Sequence, residues 1–335
     1  MADNSFLNNA RIKKQDDFIT SYEDIEKELR IYKDSFEGKV IYCNCNDIGS
    51  NFFRYLLRHF NEFKIKKLVA TSYKENKFDK ASKVMVQRVI DYGTNCYCPR
   101  NDFSIHFDGV YNTFENLNGN GDFNSQECVD ILKESDIIIS NPPFSKWREY
   151  FNLINKYNKS YIILGNINAI TYRDVFNLIR DNKCRLGYTI HCGDREFRVP
   201  NYYEIKTNNS RFDEHGNKYV RVSGIRWFTN IDYKEYNKNL PLTKSFTNND
   251  YRKFDNFNAI NVDKTIDIPY NYYGIMGVPI TFLDKYNPEQ FEIIGFTANV
   301  GRPDFFDENV DMRAFVDGKE KYKRLLILNK RRIND

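Results

Sequence analysis

The sequence predicts an α/β fold, a doubly wound mixed sheet followed by a smaller C-terminal region. Three observations carry this. From residue 40 to residue 180, β-branched runs alternate with amphipathic helical segments, the rhythm of strands joined by crossover helices. Polar turns rich in Gly, Asn and Pro separate them. From Cys184 onward helical periodicity fades, and short strands with hairpin turns such as Glu214-His215-Gly216-Asn217 take over.

At 335 residues the chain can hold one large α/β domain and a smaller one. The expected division is residues 1–230, beginning with a polar and mobile stretch over 1–15, and residues 231–335. Hydrophobic (41%) and charged (29%) fractions are ordinary for a soluble globular protein. A net charge of +4 permits a nucleic-acid partner without demanding one, because a local basic face matters more than the total. No apolar run marks a secretory signal or approaches membrane-spanning length. With seven cysteines, an odd number, the expectation is free thiols in a reducing cytoplasm. Cys43/Cys45 and Cys96/Cys98 are C-x-C pairs, not the C-x-x-C spacing usual for zinc, so no metal site is expected.

Taken in order, Thr20 and Glu23 fit a capping box opening a helix to about Tyr32, with Phe18 before it as a hydrophobic staple or a residue reaching a ligand. Residues 40–45 read as the first strand. A polar turn over 44–51 and an aromatic helix over 52–60 follow. Residues 67–73 read as the second strand and 74–100 as irregular. Segments 104–107 and 110–114 flank Asp108-Gly109, a hairpin signal expected to form an insertion over the site. Ser125 opens a helix to about Lys133, and residues 137–139 form a buried strand. That strand ends at Asn141-Pro142-Pro143-Phe144, after which Ser145 is expected to cap a helix burying Trp147, Tyr150, Phe151 and Ile154. A strand over 160–165 and a helix from Thr171/Asp174 to about Arg180 complete the alternation. Residues 231–256 read as a polar connection, and Asn287-Pro288-Glu289-Gln290 as the start of a short helix.

The Asn-Pro-Pro-Phe turn has a chemical reading. It sits at the carboxyl end of a strand, where open parallel sheets place ligands. An exocyclic amino nitrogen of a nucleobase is a poor nucleophile because its lone pair is delocalised. Acceptors for both its hydrogens, the Asn141 side-chain oxygen and the Pro142 carbonyl, would draw it toward tetrahedral geometry. Pro142 and Pro143 stiffen the backbone that carries these acceptors, and Phe144 offers a face for a base swung out of a duplex. The matching methyl donor is S-adenosylmethionine. The plain alternative is a strand-ending turn. Asn44 and Asp47, on the turn after the first strand, are placed for the donor's methionine amino group, with an ordinary connection as the alternative. Beyond the second strand stand Tyr73 and, as the nearest acidic residue for ribose hydroxyls, Glu75. Asp122 is placed to accept the donor's adenine amino group and Phe123 to pack on its ring. The alternatives there are a turn aspartate and a core phenylalanine.

Several blocks together carry a resemblance. They are residues 40–47, 50–53, 121–123, 140–145 with 148–150, 174–179, and 276–283 with 287–292. On these the chain resembles the EcoRI-type adenine-specific (N6) DNA methyltransferases over most of its length. The resemblance implies a Rossmann-like class I S-adenosylmethionine-dependent methyltransferase domain, a C-terminal target-recognition region, and methyl transfer to adenine N6 in duplex DNA. It also implies catalytic roles for Asn141, Pro142, Pro143 and Phe144, and cofactor contacts from Thr20, Asn44, Asp47, Tyr73, Asp122, Phe123 and Asn141. Two departures stand out. Residues 44–50 replace the usual aromatic-x-Gly-x-Gly loop, and the family's Phe-Tyr-Thr is Phe18-Ile19-Thr20. The basic C-terminal stretch, with Lys330, Arg331 and Arg332 foremost, is the expected phosphate-contacting surface, its alternative being a solvated charged face. The expected partners are double-stranded DNA and, without physical dependence on it, a cognate restriction endonuclease; the expected state is a monomer. RNA-base or protein-glutamine methylation and a non-catalytic DNA-binding relative are the competing readings.

Overall fold

The computed structural model describes residues 18–45, 49–74, 81–89, 110–189, 194–203, 210–233, 236, 238–297, 303, 306 and 309–330. The chain divides into two compact units, Met1–Asn166 with Gly193–Ile231, and Ile167–Cys192 with Asp232–Asp335.

The first unit is built on a mixed sheet. Its first six strands are β1 (Val40–Cys43), β2 (Lys67–Thr71), β3 (Ser82–Val89), β4 (Val110–Asn116), β5 (Ile137–Ser140) and β6 (Ser160–Asn166). They lie in the order β4-β3-β2-β1-β5-β6, with Ile225–Thr229 beside β6. β2, β1, β5 and β6 are parallel, while β3, β4 and Ile225–Thr229 run antiparallel to their neighbours. The chain steps outward from β1 to β2, β3 and β4, then returns to β5 on the other side of β1. The carboxyl ends of β1 and β5 therefore flank the topological switch point, where such sheets open a crevice. All of β5, including Ser140, is buried, as a β-branched run covered on both faces should be.

Among the described residues, four helices belong to this unit: α1 (Tyr22–Leu29), α2 (Asn51–Arg58), α3 (Gln126–Glu134) and α4 (Trp147–Lys156). Ser50 caps α2 by accepting from the Phe53 amide, and Ser125 caps α3 by accepting from the Cys128 amide. α2 buries Phe52, Phe53, Tyr55, Leu56 and Leu57, each such side chain contributing about 1.5–3 kcal/mol. α4 buries the expected Trp147, Tyr150, Phe151 and Ile154. Gly165 makes that packing possible, because a β-carbon there would stand 2.5 Å from the Trp147 indole nitrogen. That nitrogen donates to the Leu164 carbonyl at 2.7 Å.

Several expectations are corrected. The cap of α1 is Ser21, which accepts from the Asp24 amide, one residue later than the Thr20/Glu23 box. Thr20 is thereby released from capping. Phe18 is not a staple on α1; its ring packs against Phe144 and Phe197. Ser145 does not cap α4: a 3-10 turn over Phe144–Lys146 precedes that helix, closed by the Lys146 amide donating to the Pro143 carbonyl at 3.0 Å. The two prolines hold the chain extended up to this point, so the turn forms after them. β3 lies within the stretch read as irregular. Its alternation was visible, since Val84 and Val86 point into the core. Residues 110–116 form the sheet-edge strand paired to β3 rather than an insertion over the site. Residues 104–107 and Asp108-Gly109 lie outside the described residues.

A separate antiparallel sheet in this unit joins Asp194–Val199, Lys218–Ser223 and Ser210–Phe212. Asp213 closes its expected turn by accepting from the His215 and Asn217 amides, and Gly216 supplies φ +75°.

The second unit contains α5 (Arg173–Arg180) and a sheet ordered Ile260–Asn261, Met276–Pro279, Arg324–Asn329, Phe291–Phe296. Phe176 of α5 packs on Phe296 at 5.7 Å. Asn287 does not start a helix; its side-chain oxygen accepts from the Glu289 amide, and this Asx turn leads straight into Phe291–Phe296. Arg324, within the basic C-terminal stretch, is buried and donates to Asn261, Asp263 and the Tyr322 carbonyl. Among the described residues, no helix is long and apolar enough to cross a membrane.

Candidate active site

The crevice is fastened at its base by the ends of adjacent strands. The Ser140 hydroxyl, last in β5, donates to the Asn44 carbonyl just past β1 at 2.5 Å. Asn44 is fully buried. Its side-chain oxygen accepts from the Cys45 amide at 2.7 Å and from the Thr71 hydroxyl at 3.3 Å, tying β1 to β2. Cys45 completes the tight exit with φ +61°. Asp47 lies outside the described residues, as does Glu75.

On one wall stands the Asn-Pro-Pro-Phe turn. The Asn141 amide nitrogen donates to the Phe18 carbonyl at 2.6 Å. The Asn141 oxygen is buried and has no hydrogen-bond partner. A buried acceptor left unmatched is costly, so this atom points to a ligand. Pro142 is buried, whereas Pro143 and Phe144 are half-buried. Phe144, Phe18 and Phe197 form a triangle of rings, with centroids 5.3, 5.7 and 6.2 Å apart. Phe197 was not singled out from the sequence. The available signal was one aromatic among charged residues in Asp194–Val199.

The other wall carries the residues read as donor contacts. The Gly121 backbone, at φ +76°, lies against Ser72, just past β2. The Lys74 amide donates to the Asn120 carbonyl at 2.9 Å, so the two loops are stitched. This places Asp122 on the same edge as Tyr73, whose ring is 46% exposed. One Asp122 oxygen accepts from the Asn124 amide at 2.9 Å, and the other from the Lys146 ammonium at 3.0 Å. That hydrogen bond to Asp122 holds the Lys146 pKa above the ordinary lysine value. Phe123 is 3% exposed and packs edge-on against Tyr150 at 5.1 Å, a core position. Thr20 joins the site from the N-terminal side. Its carbonyl accepts from Asn51 at 2.7 Å, and its hydroxyl, like the Asn141 oxygen, is buried without a partner.

A family model described as "Adenine-specific methyltransferase EcoRI" matches residues 6–332. The chain belongs to this family. It is 43% identical over 333 residues to the Type II methyltransferase M.EcoRI of Escherichia coli, covering 98% of each chain. It is 35% identical to the Type II methyltransferase M.MgeORF184P of Mycoplasma genitalium, covering 96% of this chain and 98% of that one. It is 32% identical to the Type II methyltransferase M.MpnI of Mycoplasma pneumoniae, covering 98% and 99%. No solved structure matches the chain. The protein is thus an adenine-specific DNA methyltransferase, and its α/β fold is that of a Rossmann-like methyltransferase.

For such an enzyme the unmatched Asn141 oxygen and Thr20 hydroxyl, two of several such buried atoms, have complementary positions. The Asn141 oxygen belongs to the turn that would meet the target base. The Thr20 hydroxyl belongs to the residue whose carbonyl accepts from Asn51, at the start of α2. Of the expected DNA contacts, Lys330 lies in the second unit, where its ammonium donates to the Pro288 carbonyl at 3.2 Å; Arg331 and Arg332 lie outside the described residues.

Proposed function

We propose that the enzyme moves a methyl group from S-adenosylmethionine to N6 of an adenine swung out of duplex DNA, as the modification partner of a type II restriction system. One observation carries the reading: the Asn141 amide is held by its nitrogen end, which leaves its oxygen as a buried acceptor beside Phe144. That is what an amino-group substrate needs and what a strand-ending turn does not.

When bound, S-adenosylmethionine supplies an electrophilic methyl on a sulfonium that leaves as a neutral thioether. The residues present fit it: Thr20 brings an unmatched hydroxyl, Gly121 lets a loop close against Ser72, and Tyr73 and Asp122 share the crevice edge. Thr20, Asn44, Asp47, Tyr73, Asp122, Phe123 and Asn141 are assigned to holding it.

At the target, the Asn141 oxygen and the Pro142 carbonyl each accept one hydrogen of the amino group. This withdraws the nitrogen lone pair from the ring and aims it at the methyl carbon. With the donor bound, formation of the nitrogen–carbon bond would displace its sulfur, which would keep the carbon–sulfur pair, and the nitrogen would then give its extra proton to water. Ser140 to Phe144 contain no side chain that titrates near neutrality, so catalysis rests on alignment and fixed dipoles. Phe144 stacks on the extruded adenine. Residues 231–335 are assigned to target recognition, with Lys330, Arg331 and Arg332 on phosphates. The enzyme works as a monomer, in the cytoplasm where its DNA lies, without physical need of its endonuclease.

The test is to incubate the purified protein with methyl-labelled S-adenosylmethionine and DNA, RNA or protein. Label in DNA, recovered as N6-methyladenine, is expected. Label in RNA bases or in glutamine residues instead would overturn the reading.

A further inference from the structure

We infer that the backbone carbonyl of Phe18 is a positioning group for the transfer, because it selects which end of the Asn141 amide faces the target. This rests on the proposed role of Asn141. An asparagine side chain has two ends of nearly equal size and opposite hydrogen-bonding character. With its oxygen toward the target it accepts from the amino group. With its nitrogen toward the target it places donor against donor, and the lone pair stays in the ring. A carbonyl can only accept, so the Phe18 carbonyl, 2.6 Å from the amide nitrogen, holds one orientation.

The segment carrying that carbonyl is itself held on both sides. The Ile19 amide donates to the Arg198 carbonyl at 2.9 Å, and the Arg198 amide returns a bond to Ile19 at 3.3 Å. The Thr20 carbonyl accepts from Asn51 at 2.7 Å, and Ser21 caps α1. Phe18 also packs its ring on Phe144, so one residue orients the acceptor and backs the stacking face. The strap crosses from the hairpin sheet to the switch point of the main sheet. It therefore fixes Asn141 relative to elements separate from the turn that carries it.

The test replaces Asn141 by aspartate, which has two acceptors and no fixed donor. Asp at this position meets both demands only when protonated: its O–H donates to Phe18 and its other oxygen accepts from the target. Ionised, it sets acceptor against acceptor. The charged side chains carried by the surrounding elements are mostly paired. Lys146 is with Asp122, Arg195 with Asp24, and Glu196 with Arg211 and Arg221, while Arg198 adds a cation on the strap's partner strand. A surplus cation would lower the pKa of the new carboxyl, so a rise has to come from the carbonyl or from burial.

Infrared difference spectra of the full-length Asn141→Asp protein, labelled with 13C-aspartate, read that pKa even if turnover is lost. The expected result is a carboxyl titrating above the ordinary aspartate range. Any methyl transfer should then rise about tenfold per pH unit of acidification above that pKa, where the parent is flat. Adding Ile19→Pro, at a residue 45% exposed, removes the amide bond to Arg198 and loosens the carbonyl. It should return the carboxyl toward its ordinary range. An unshifted carboxyl, or one raised equally with and without Ile19→Pro, overturns the inference, the second outcome assigning the shift to burial. A parent protein that labels no DNA would defeat the proposed function instead, and the infrared titration would still decide the positioning role.

Discussion

Gly121 approaches Ser72 so closely that a β-carbon on it would stand 2.0 Å from the Ser72 carbonyl oxygen. The contact is backbone against backbone, so nothing flexible can move aside. It brings the loop of Asp122 against the residue next to Tyr73, which shapes the edge proposed to hold the cofactor.

Gly121→Ala should therefore lose stability twice, through positive φ and through the clash. Together these are worth roughly 2–4 kcal/mol. Gly216 provides the control, with φ +75° and nothing within 4 Å of its missing β-carbon. Gly216→Ala should lose only the backbone part, about 1 kcal/mol. Chemical denaturation compares the two. Equal losses would mean that the Ser72 contact relaxes freely.

In the proposed role Asp122 would offer the cofactor a carboxylate whose oxygens are oriented by Asn124 and Lys146. Asp122→Ala should weaken S-adenosylmethionine binding by about 1–2 kcal/mol, roughly five- to thirtyfold. Lys146→Met should have a smaller effect in the same direction, because it removes only the orienting cation. Calorimetry with unchanged affinity for Asp122→Ala would move the adenine contact elsewhere.

Much of this site was legible from the sequence because its signals are local. Asn141-Pro142-Pro143-Phe144 ends a β-branched run, and Ser50 and Ser125 stand where helix starts were expected. What was missed depends on long-range pairing. β3 places Val84 and Val86 inward, but it lacks turn signals of its own, and pairing with β2 and β4 makes that short alternation a strand. Phe197 becomes part of the site through ring contacts with Phe18 and Phe144, residues distant in sequence. Arg324 reads as surface charge in a basic stretch, yet Asn261 and Asp263 bury it. Local composition cannot anticipate a partner some sixty residues away.

The aromatic triangle predicts separable effects. Phe144→Ala should lose stacking with the extruded base, worth about 1–3 kcal/mol. Phe197→Leu keeps bulk but withdraws the edge contact, so its effect should be smaller. A fluorescent base analogue at the target position reports the flipped population for both. An unchanged signal in Phe144→Ala would make that ring a core residue only.

Neutralising Lys330, Arg331 and Arg332 together should weaken binding to every duplex alike. If all three meet phosphates, the slope of log K against log salt should become shallower by about 0.9 for each. A parental slope would make this stretch a solvated face, and methylation at new sequences would make it a reader of bases.

The most direct test is methylation-resolving sequencing of DNA from cells expressing either the parent or Asn141→Ala. The parent should place N6-methyladenine at one recurring sequence. The variant should place none, with turnover reduced at least about a hundredfold, while purified Asn141→Ala still binds S-adenosylmethionine with near-parental affinity. Equal methylation by parent and variant, or no methylated adenine from a folded, cofactor-binding parent, would contradict the account.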